Sequence, residues 1–141
     1  MKKAGLLFLV LVILGSFSVK DSEAGQWCWQ FTGYPNNYIK LSFAKPDPLH
    51  PYWSLNGMWY VPGESIVPLV GTMVKSADGT QRLLNLNGTI HDDTGLSQAY
   101  QMEAVMDSLT KNGTIYIYYT ISTNNSAFAI NNLKCSTLPA P

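Results

Sequence analysis

The chain has 141 residues, which is enough for one ordinary domain. Nine Lys and Arg residues balance nine Asp and Glu residues, which excludes both a large basic face for nucleic acid and an acidic tail. Charged residues make up 13% of the chain and aromatic residues 12%, a composition typical of a folded protein.

The N-terminus has the pattern of a secretory signal peptide. Two lysines precede an uncharged, mostly aliphatic run over 4–14, which is too short for a membrane span of about 20 residues. Small-x-small cleavage sites end at Ser18 and at Ala24, and we expect cleavage at the second. The sequence therefore predicts a signal peptide over 1–24 and a single secreted or periplasmic domain over 25–141. An uncleaved membrane anchor is the alternative.

Apolar and polar residues alternate along most of the remaining chain. In one such segment, Ile39, Leu41 and Phe43 face one way, while Lys40 and Ser42 face the other. A period of two residues is typical of half-buried β-strands. The predicted strands span 26–31, 37–44, 52–61, 66–75, 80–91, 97–108, 113–122 and 127–135.

Turn-forming residues separate these strands. Pro-Asn-Asn at 35–37 separates the first two, and the three prolines within 45–51 exclude a central strand there. Asp-Gly at 78–79 and Asn-Gly at 112–113 predict two-residue hairpin turns, because both central positions of such turns require positive φ.

Eight strands with short connections predict an all-β fold, an eight-stranded antiparallel up-and-down β-barrel. Asn-Gly pairs also occur at 56–57 and 87–88, inside predicted strands. If each pair formed a hairpin, the strands would be shorter and a β-sandwich would be the alternative fold. In a barrel, Gly57, Gly71 and Gly88 would instead mark bends that help the sheet to close.

The only two cysteines, Cys28 and Cys135, lie in the first and last predicted strands. In an oxidising compartment two such cysteines form a disulfide. A bridge that closes a loop of roughly 100 residues stabilises a protein by about 4–5 kcal/mol in the chain-entropy treatment. In a closed up-and-down barrel the first and last strands are neighbours, so this pairing favours a barrel.

No motif for catalysis or cofactor binding occurs in the sequence. A nucleophile elbow, a Walker loop, HExxH and a glycine-rich dinucleotide fingerprint are all missing. His-Asp-Asp at 91–93 has metal-binding side chains, but adjacent residues at a strand end rarely converge on one ion. We therefore expect a non-enzymatic protein with no cofactor, no metal site and no nucleic-acid partner.

The distinctive feature of the chain is its density of aromatic residues on predicted strands. These side chains can serve as cross-strand packing or can line a ligand site, and the interior is expected to hold no charged group. The inward-facing residues predicted to bind a ligand are Phe43, Trp53, Trp59, Tyr100, Met102 and Tyr119.

The strand pattern, together with Gly25-Gln26-Trp27 in the first strand, resembles the calycins, the group of lipocalins and avidins. Gly25-Gln26-Trp27 is similar to the lipocalin G-x-W motif. The resemblance implies a secreted eight-stranded barrel whose tryptophan closes one end and packs near a C-terminal arginine. The last strand of this chain offers only Lys134 there, and the second lipocalin motif and the avidin ligand-binding pattern are both absent.

These observations predict a secreted binding protein that holds a small apolar or aromatic ligand inside its barrel. The alternative is a secreted protein-binding module, such as a periplasmic enzyme inhibitor, that contacts its partner through the loop 45–51. We expect no membrane span after signal cleavage. An internal cavity would favour the first function, and a filled core would favour the second.

The disulfide is the first testable prediction. We expect the intact mass of the purified secreted protein to be two hydrogens lighter without reductant than with it, because Cys28 and Cys135 are oxidised to a bridge. Mass spectrometry before and after reduction measures this difference. Two thiols that react with an alkylating agent in the native protein would contradict it.

Overall fold

The computed structural model describes residues 24–44, 52–61, 66–91, 97–119 and 125–138. Only the last residue of the predicted signal peptide, Ala24, falls within these ranges. A 3-10 helix, Cys135–Thr137, follows the last strand. The strands are β1 (Ala24–Phe31), β2 (Tyr34–Ala44), β3 (Tyr52–Tyr60), β4 (Val67–Lys75), β5 (Gln81–His91), β6 (Ser97–Asp107), β7 (Gly113–Tyr119) and β8 (Asn125–Leu133).

The eight strands form one closed antiparallel barrel in sequence order. Each strand pairs with the next, and β8 returns to pair with β1, where Cys28–Phe31 lies opposite Leu133–Ile130. The predicted up-and-down barrel is therefore confirmed, and the sandwich alternative is wrong. Asn56-Gly57 and Asn87-Gly88 both lie within continuous strands, as the barrel interpretation requires.

Alternation along each strand separates a core from an outer surface. On β6, Tyr100, Met102, Ala104 and Met106 are buried inside the barrel, while the residues between them are exposed. The other strands contribute inward rows of the same kind, which together form one hydrophobic core. Since the side-chain period of a strand is two, every second residue along each strand lines this core.

A glycine on β4 allows this strand to approach β5 closely. A Cβ atom added to Gly71 on β4 would collide with the backbone carbonyl oxygen of Asn85 on β5. Gly71 lies on the inward face between Leu69 and Met73. The close approach of β4 and β5 therefore requires a residue without a side chain at position 71, while bends of the sheet at the glycines stay a prediction.

The first hairpin turn is not where the sequence predicted it. The turn consists of Thr32 and Gly33, and Gly33 has a φ of +83°. The predicted turn 35–37 instead belongs to β2, where the register shifts because Gln30 pairs with Tyr38 but the next residue pairs with Tyr34. Gly33 adopts the left-handed conformation without steric cost, and so the chain reverses there before the proline.

The other two predicted hairpins occur at the expected places but with longer turns. Asp107 N donates to Asn112 O, so the turn before β7 spans 108–111, and Lys111 has positive φ rather than Asn112 or Gly113. The turn before β5 is closed in the same way, because Ser76 N donates to Gln81 O. Both are therefore four-residue turns and not the predicted two-residue turns.

A disulfide joins Cys28 and Cys135, whose Cα atoms are 5.2 Å apart. Cys28 lies on the outward side of β1 and is fully buried. Cys135 lies in the 3-10 helix just beyond β8. The last strand ends at Leu133, two residues before the predicted end at 135, so Cys135 is not part of it. The bridge therefore fastens the chain where β1 and β8 close the barrel.

We predict that Gly71→Ala lowers the free energy of unfolding by about 2–3 kcal/mol, because the new methyl group must displace a strand backbone. Urea unfolding followed by tryptophan fluorescence measures the change. Val70→Ala is the matched control, since Val70 is the exposed neighbour on the same strand and should change stability by less than about 1 kcal/mol. Equal effects of the two substitutions would contradict the steric explanation.

Candidate functional site

The two ends of the barrel differ in chemistry, and β3 runs from one to the other. At the Trp59 end, β1, β3, β5 and β7 end, and β2, β4, β6 and β8 begin. The opposite end, the Trp53 end, carries the two four-residue turns. Trp53 and Trp59 are both inward-facing and are each 6% exposed.

All six residues predicted to bind a ligand point into the barrel, but they do not form one cluster. Trp59, Tyr100 and Tyr119 lie together at the Trp59 end. Phe43 and Trp53 lie near the Trp53 end, where their strands end and begin. Met102 lies between the two groups, in the middle of β6. Ligand binding by these residues stays a prediction.

Side chains fill the middle of the barrel. Met102 is fully buried between its cross-strand neighbours Leu86 and Ile117, and Leu41 and Leu69 are buried on the other side of the core. An eight-stranded barrel is just wide enough for its own side chains to fill it. A ligand would therefore contact the aromatic groups at the ends of the barrel.

The Trp59-end cluster consists of aromatic rings from five strands. The ring centroids of Trp59 and Tyr100 are 5.4 Å apart and those of Tyr100 and Tyr119 are 5.5 Å apart, both in edge-to-face geometry. Phe31 stacks on Trp59 at 6.2 Å and meets Phe128 edge-on at 5.3 Å. Because Tyr119 and Phe128 are only partly buried, this cluster reaches the end of the barrel.

The irregular start of β2 borders the Trp59-end cluster. Asn37 Oδ1 accepts a hydrogen bond of 2.7 Å from Trp59 Nε1, which satisfies the indole group and orients its ring. Tyr34, which is 53% exposed, meets Phe128 edge-on at 5.8 Å. The connections 62–65, 92–96 and 120–124 join strands at this end and lie outside the described residues.

The Trp53 end combines aromatic rings with positive charges. The guanidinium carbon of Arg82 lies 4.8 Å from the ring centroid of Trp27 and 5.5 Å from that of Trp53. The ammonium group of Lys111 lies 5.6 Å from the Trp27 centroid, and that of Lys75 lies 5.9 Å from the Trp53 centroid. We call Lys75, Arg82 and Lys111 the cationic cluster.

The expectation of an uncharged interior is wrong at this end. Arg82 occupies the same inward row of β5 as Leu84 and Leu86 and is only partly exposed. The inward direction of Arg82 was predictable from the sequence, because Arg82 lies two residues before the inward-facing Leu84 on the same strand. Its aliphatic stem lies along the core, while its charged group lies over the tryptophan rings, where cation–π attraction offsets part of the desolvation.

The Gly25-Gln26-Trp27 motif forms part of β1 at the Trp53 end. Trp27 packs against Phe43 at 4.4 Å and meets Trp29 edge-on at 5.8 Å. The arginine over Trp27 comes from β5, and not from the last strand as in the lipocalin pattern. The motif is thus combined with a cation from a different part of the chain.

Two concave regions lined by described residues lie on the outer face of the barrel. One has a volume of about 290 Å³ and lies across β4, β5 and β6, lined by Thr72, Val74, Leu83, Leu84, Asn85, Glu103, Ala104 and Val105. The other, about 230 Å³, lies across β1, β2 and β3, lined by Gln26, Lys40, Ser42, Asn56, Gly57, Met58 and Tyr60. Neither contains a residue predicted to bind a ligand.

The described residues include no group of three His, Cys, Asp or Glu side chains that could hold a metal ion. Nδ1 of His91 and Oγ of Ser97 share a hydrogen bond of 2.7 Å, and Asp92 and Asp93 lie outside the described residues, as does the loop 45–51. Within the described ranges, no helix has the length and apolarity needed to cross a membrane.

Comparisons of this chain with protein-family models, with curated proteins and with solved structures find no match. The eight-stranded antiparallel barrel is compatible with a calycin-like architecture.

The carboxylate of Asp107 organises the turn that positions Lys111. It accepts hydrogen bonds from the backbone N–H and hydroxyl groups of Thr110, at 2.7 and 3.0 Å, and from the N–H of Leu109 at 3.0 Å. The bonds to Thr110 are the main reason why the pKa of Asp107 lies below its usual value of 3.8. The ionised form of Asp107 therefore stabilises the folded state.

We predict that Asp107→Asn reduces the loss of stability in acid. Because the pKa of Asp107 is lower in the folded state, its contribution is complete above about pH 4 and is lost as the pH falls through the folded pKa. Urea unfolding at pH 6 and pH 3 measures the difference. Thr110→Val should act in the same direction and Thr110→Ser should not; equal losses in wild type and Asp107→Asn would contradict the prediction.

Proposed function

We propose that this chain is a secreted, non-enzymatic binding protein of calycin-like type that holds a small apolar or aromatic ligand at the Trp59 end. The observation that carries the proposal is the Trp59-end cluster, in which aromatic rings from five strands meet at one end of the barrel. Rings of this kind offer apolar faces and polar edges to a flat ligand.

The filled middle of the barrel limits where such a ligand can lie. Met102 and its buried neighbours separate the two ends, so the ligand would lie above the rings of Tyr100 and Tyr119 and not in a central chamber. Among the described residues, the indole N–H of Trp59 is already bonded to Asn37. A ligand that depends on apolar contact fits this surface better than one that needs many hydrogen bonds.

The disulfide supports a secreted or periplasmic location for this activity. Disulfides persist mainly in oxidising compartments, and Cys28–Cys135 joins β1 to the 3-10 helix that follows β8. The signal-peptide pattern over 1–24 is consistent with the same location.

A secreted protein-binding module, such as an inhibitor of a periplasmic enzyme, is the second candidate. The packing of the described core residues favours it, because a partner would then contact the ends or the outer face of the barrel. Such a contact would include exposed apolar residues on the outer face of β4, β5 and β6, namely Val70, Leu83 and Val105.

We predict saturable binding of N-phenyl-1-naphthylamine, a neutral fluorescent probe, and a three- to tenfold weaker affinity in Trp59→Phe. This range corresponds to about 0.5–1.5 kcal/mol for one aromatic contact. Trp53→Phe is the matched control, since Trp53 is equally buried on the same strand but lies at the opposite end. Fluorescence titration measures both affinities.

A panel of neutral apolar dyes and fatty acids completes the test. If none of them binds saturably to the folded protein, the small-ligand proposal is wrong and protein binding is the better hypothesis. If the probe binds but Trp53→Phe weakens it more than Trp59→Phe does, the site lies at the other end of the barrel.

A further inference from the structure

The concave region of about 230 Å³ across β1, β2 and β3, which we call the outer groove, has two chemically different sides. One side is a row of three hydrogen-bonding side chains, Gln26, Ser42 and Asn56, one from each strand. They lie side by side because Gln26 pairs with Ser42 and Ser42 pairs with Asn56 in the sheet. The register of the three strands therefore places two amides and a hydroxyl along one line, which we call the polar row.

The other side of the outer groove is aromatic and apolar. Tyr60 pairs with Tyr38 on β2, and their rings stack with centroids 4.4 Å apart. Tyr38 is 4% exposed, whereas Tyr60 is half-buried and lines the groove. The Tyr60 hydroxyl donates a hydrogen bond of 3.3 Å to Sδ of Met58, which lies between Tyr60 and the polar row on the same strand and is 44% exposed. Tyr60 and Met58 therefore offer apolar surface beside the polar row.

Strand backbone forms part of the lining between these two sides. Gly57 lines the groove, and a glycine can supply only backbone atoms. A Cβ atom added to Gly57 would collide with the backbone carbonyl oxygen of Lys40 on β2. A larger residue at position 57 would therefore push β3 away from β2 and separate the two sides of the groove.

The polar row keeps hydrogen-bonding capacity for a ligand. Gln26 Nε2 donates to Ser42 Oγ at 3.3 Å, which leaves the Gln26 side-chain carbonyl, its second N–H and the Ser42 hydroxyl hydrogen for other partners. Asn56 is exposed, and its amide has two donor hydrogens and an acceptor oxygen. Lys40 is the only formally charged residue within β1, β2 and β3. The groove is therefore rich in neutral donors and acceptors, which suit hydroxyl groups.

We infer that the outer groove binds one hexopyranose ring of a glycan. Such a ring has hydroxyl groups around its edge and a face of C–H groups, so it needs polar partners on one side and an apolar, aromatic surface on the other. The polar row binds the hydroxyls, while Tyr60 and Met58 contact the C–H face. Drug-sized ligands occupy pockets of about 300–1,000 Å³, so a volume of about 230 Å³ suits a single ring.

This site goes beyond the proposed function because it lies on the outer wall of the barrel. Trp59 lies between Met58 and Tyr60 in the sequence but points inward, so β3 itself separates the outer groove from the Trp59-end cluster. The concave region across β4, β5 and β6 differs as well, because the described residues that line it include no aromatic ring. The outer groove is the one of these two regions that combines a ring with a row of amides.

The first experiment compares sugars with two molecules that each lack half of the required chemistry. The probes are methyl β-D-glucopyranoside, methyl β-D-galactopyranoside and methyl α-D-mannopyranoside. Sorbitol has the hydroxyl groups without the ring, and cyclohexanol has a ring with a single hydroxyl. We expect at least one glycoside to bind the purified secreted protein saturably, with a millimolar dissociation constant and at least about fivefold more tightly than sorbitol or cyclohexanol.

NMR titration measures these affinities and locates the sugar. The side-chain NH₂ signals of Gln26 and Asn56 should shift as the glycoside is added, because their amides contact its hydroxyl groups. The inference is wrong if none of the three glycosides binds at about 100 mM, or if sorbitol or cyclohexanol binds as tightly. Saturable binding that leaves both NH₂ signals unshifted would also overturn it.

Two substitutions test the two sides of the groove, each with a matched control. Tyr60→Ala should weaken glycoside binding about three- to tenfold, because it removes the aromatic contact. Tyr116→Ala is its control, since Tyr116 is an exposed tyrosine on the outer face of β7. Asn56→Ala should weaken binding by a similar factor, about three- to tenfold, through the lost hydrogen bonds. Asn87→Ala is its control, since Asn87 is also exposed and also precedes a glycine within a strand.

Circular dichroism and the unfolding midpoint establish that each variant is folded. Both control variants should bind the glycoside like wild type. If Tyr60→Ala binds as tightly as Tyr116→Ala, or Asn56→Ala as tightly as Asn87→Ala, the sugar does not lie in the outer groove and the inference is overturned.

Trp59→Phe separates this inference from the proposed function. Glycoside affinity should not change in that variant, whereas affinity for the neutral naphthylamine probe should fall. Loss of glycoside binding in Trp59→Phe, with full binding in Tyr60→Ala, would locate the sugar at the Trp59 end and overturn the inference.

Discussion

Pairing between β1 and β8 is the interaction on which the rest of this barrel depends. Among the described residues, four paired positions, from Cys28–Leu133 to Phe31–Ile130, close the sheet, and Thr32 N donates a further hydrogen bond to Ala129 O. Without them both strands would be edges with unpaired backbone groups, and the inward residues of β1 would face solvent. The disulfide lies beside this short ladder and restrains it.

Closure at eight strands then determines how the interior is filled. The middle of the barrel holds aliphatic side chains such as Leu86, Met102 and Ile117, and strands approach closely at Gly71. The largest rings lie towards the ends, where Trp27 and Trp59 have room that the middle lacks. The barrel therefore presents its chemistry at two separate places, one aromatic and one both aromatic and cationic.

Strand number, strand positions and the disulfide were predictable from the sequence because each depends on a short-range signal. Alternation along 37–44 or 97–108 needs no knowledge of the rest of the chain, and two cysteines allow one pairing. The first turn was mispredicted because Pro35 and two asparagines gave a stronger local signal than Gly33. The structure reverses at Thr32 and Gly33, where Gly33 has positive φ, and 35–37 belong to β2.

The grouping of the six candidate ligand residues depends on long-range geometry. Their inward direction follows from the alternation of side chains along each strand. Whether Phe43 lies near Trp59 or near Trp27 depends on the register of neighbouring strands. Lys111 was missed for the same reason, since its neighbours in sequence are polar turn residues and Trp27 is brought to it only by barrel closure.

The disulfide closes the chain of the barrel into a covalent loop, in addition to the closure of the sheet by hydrogen bonds. The chain enters at β1 and leaves just after β8, and the Cα atoms of Cys28 and Cys135 are 5.2 Å apart. Where the first and last strands of a barrel lie at neighbouring points, the connection between them can be moved without changing the strand order. A circular permutant of residues 24–138 that opens at the exposed turn near Asp78, with residues 24 and 138 joined by a linker, would keep every strand pair.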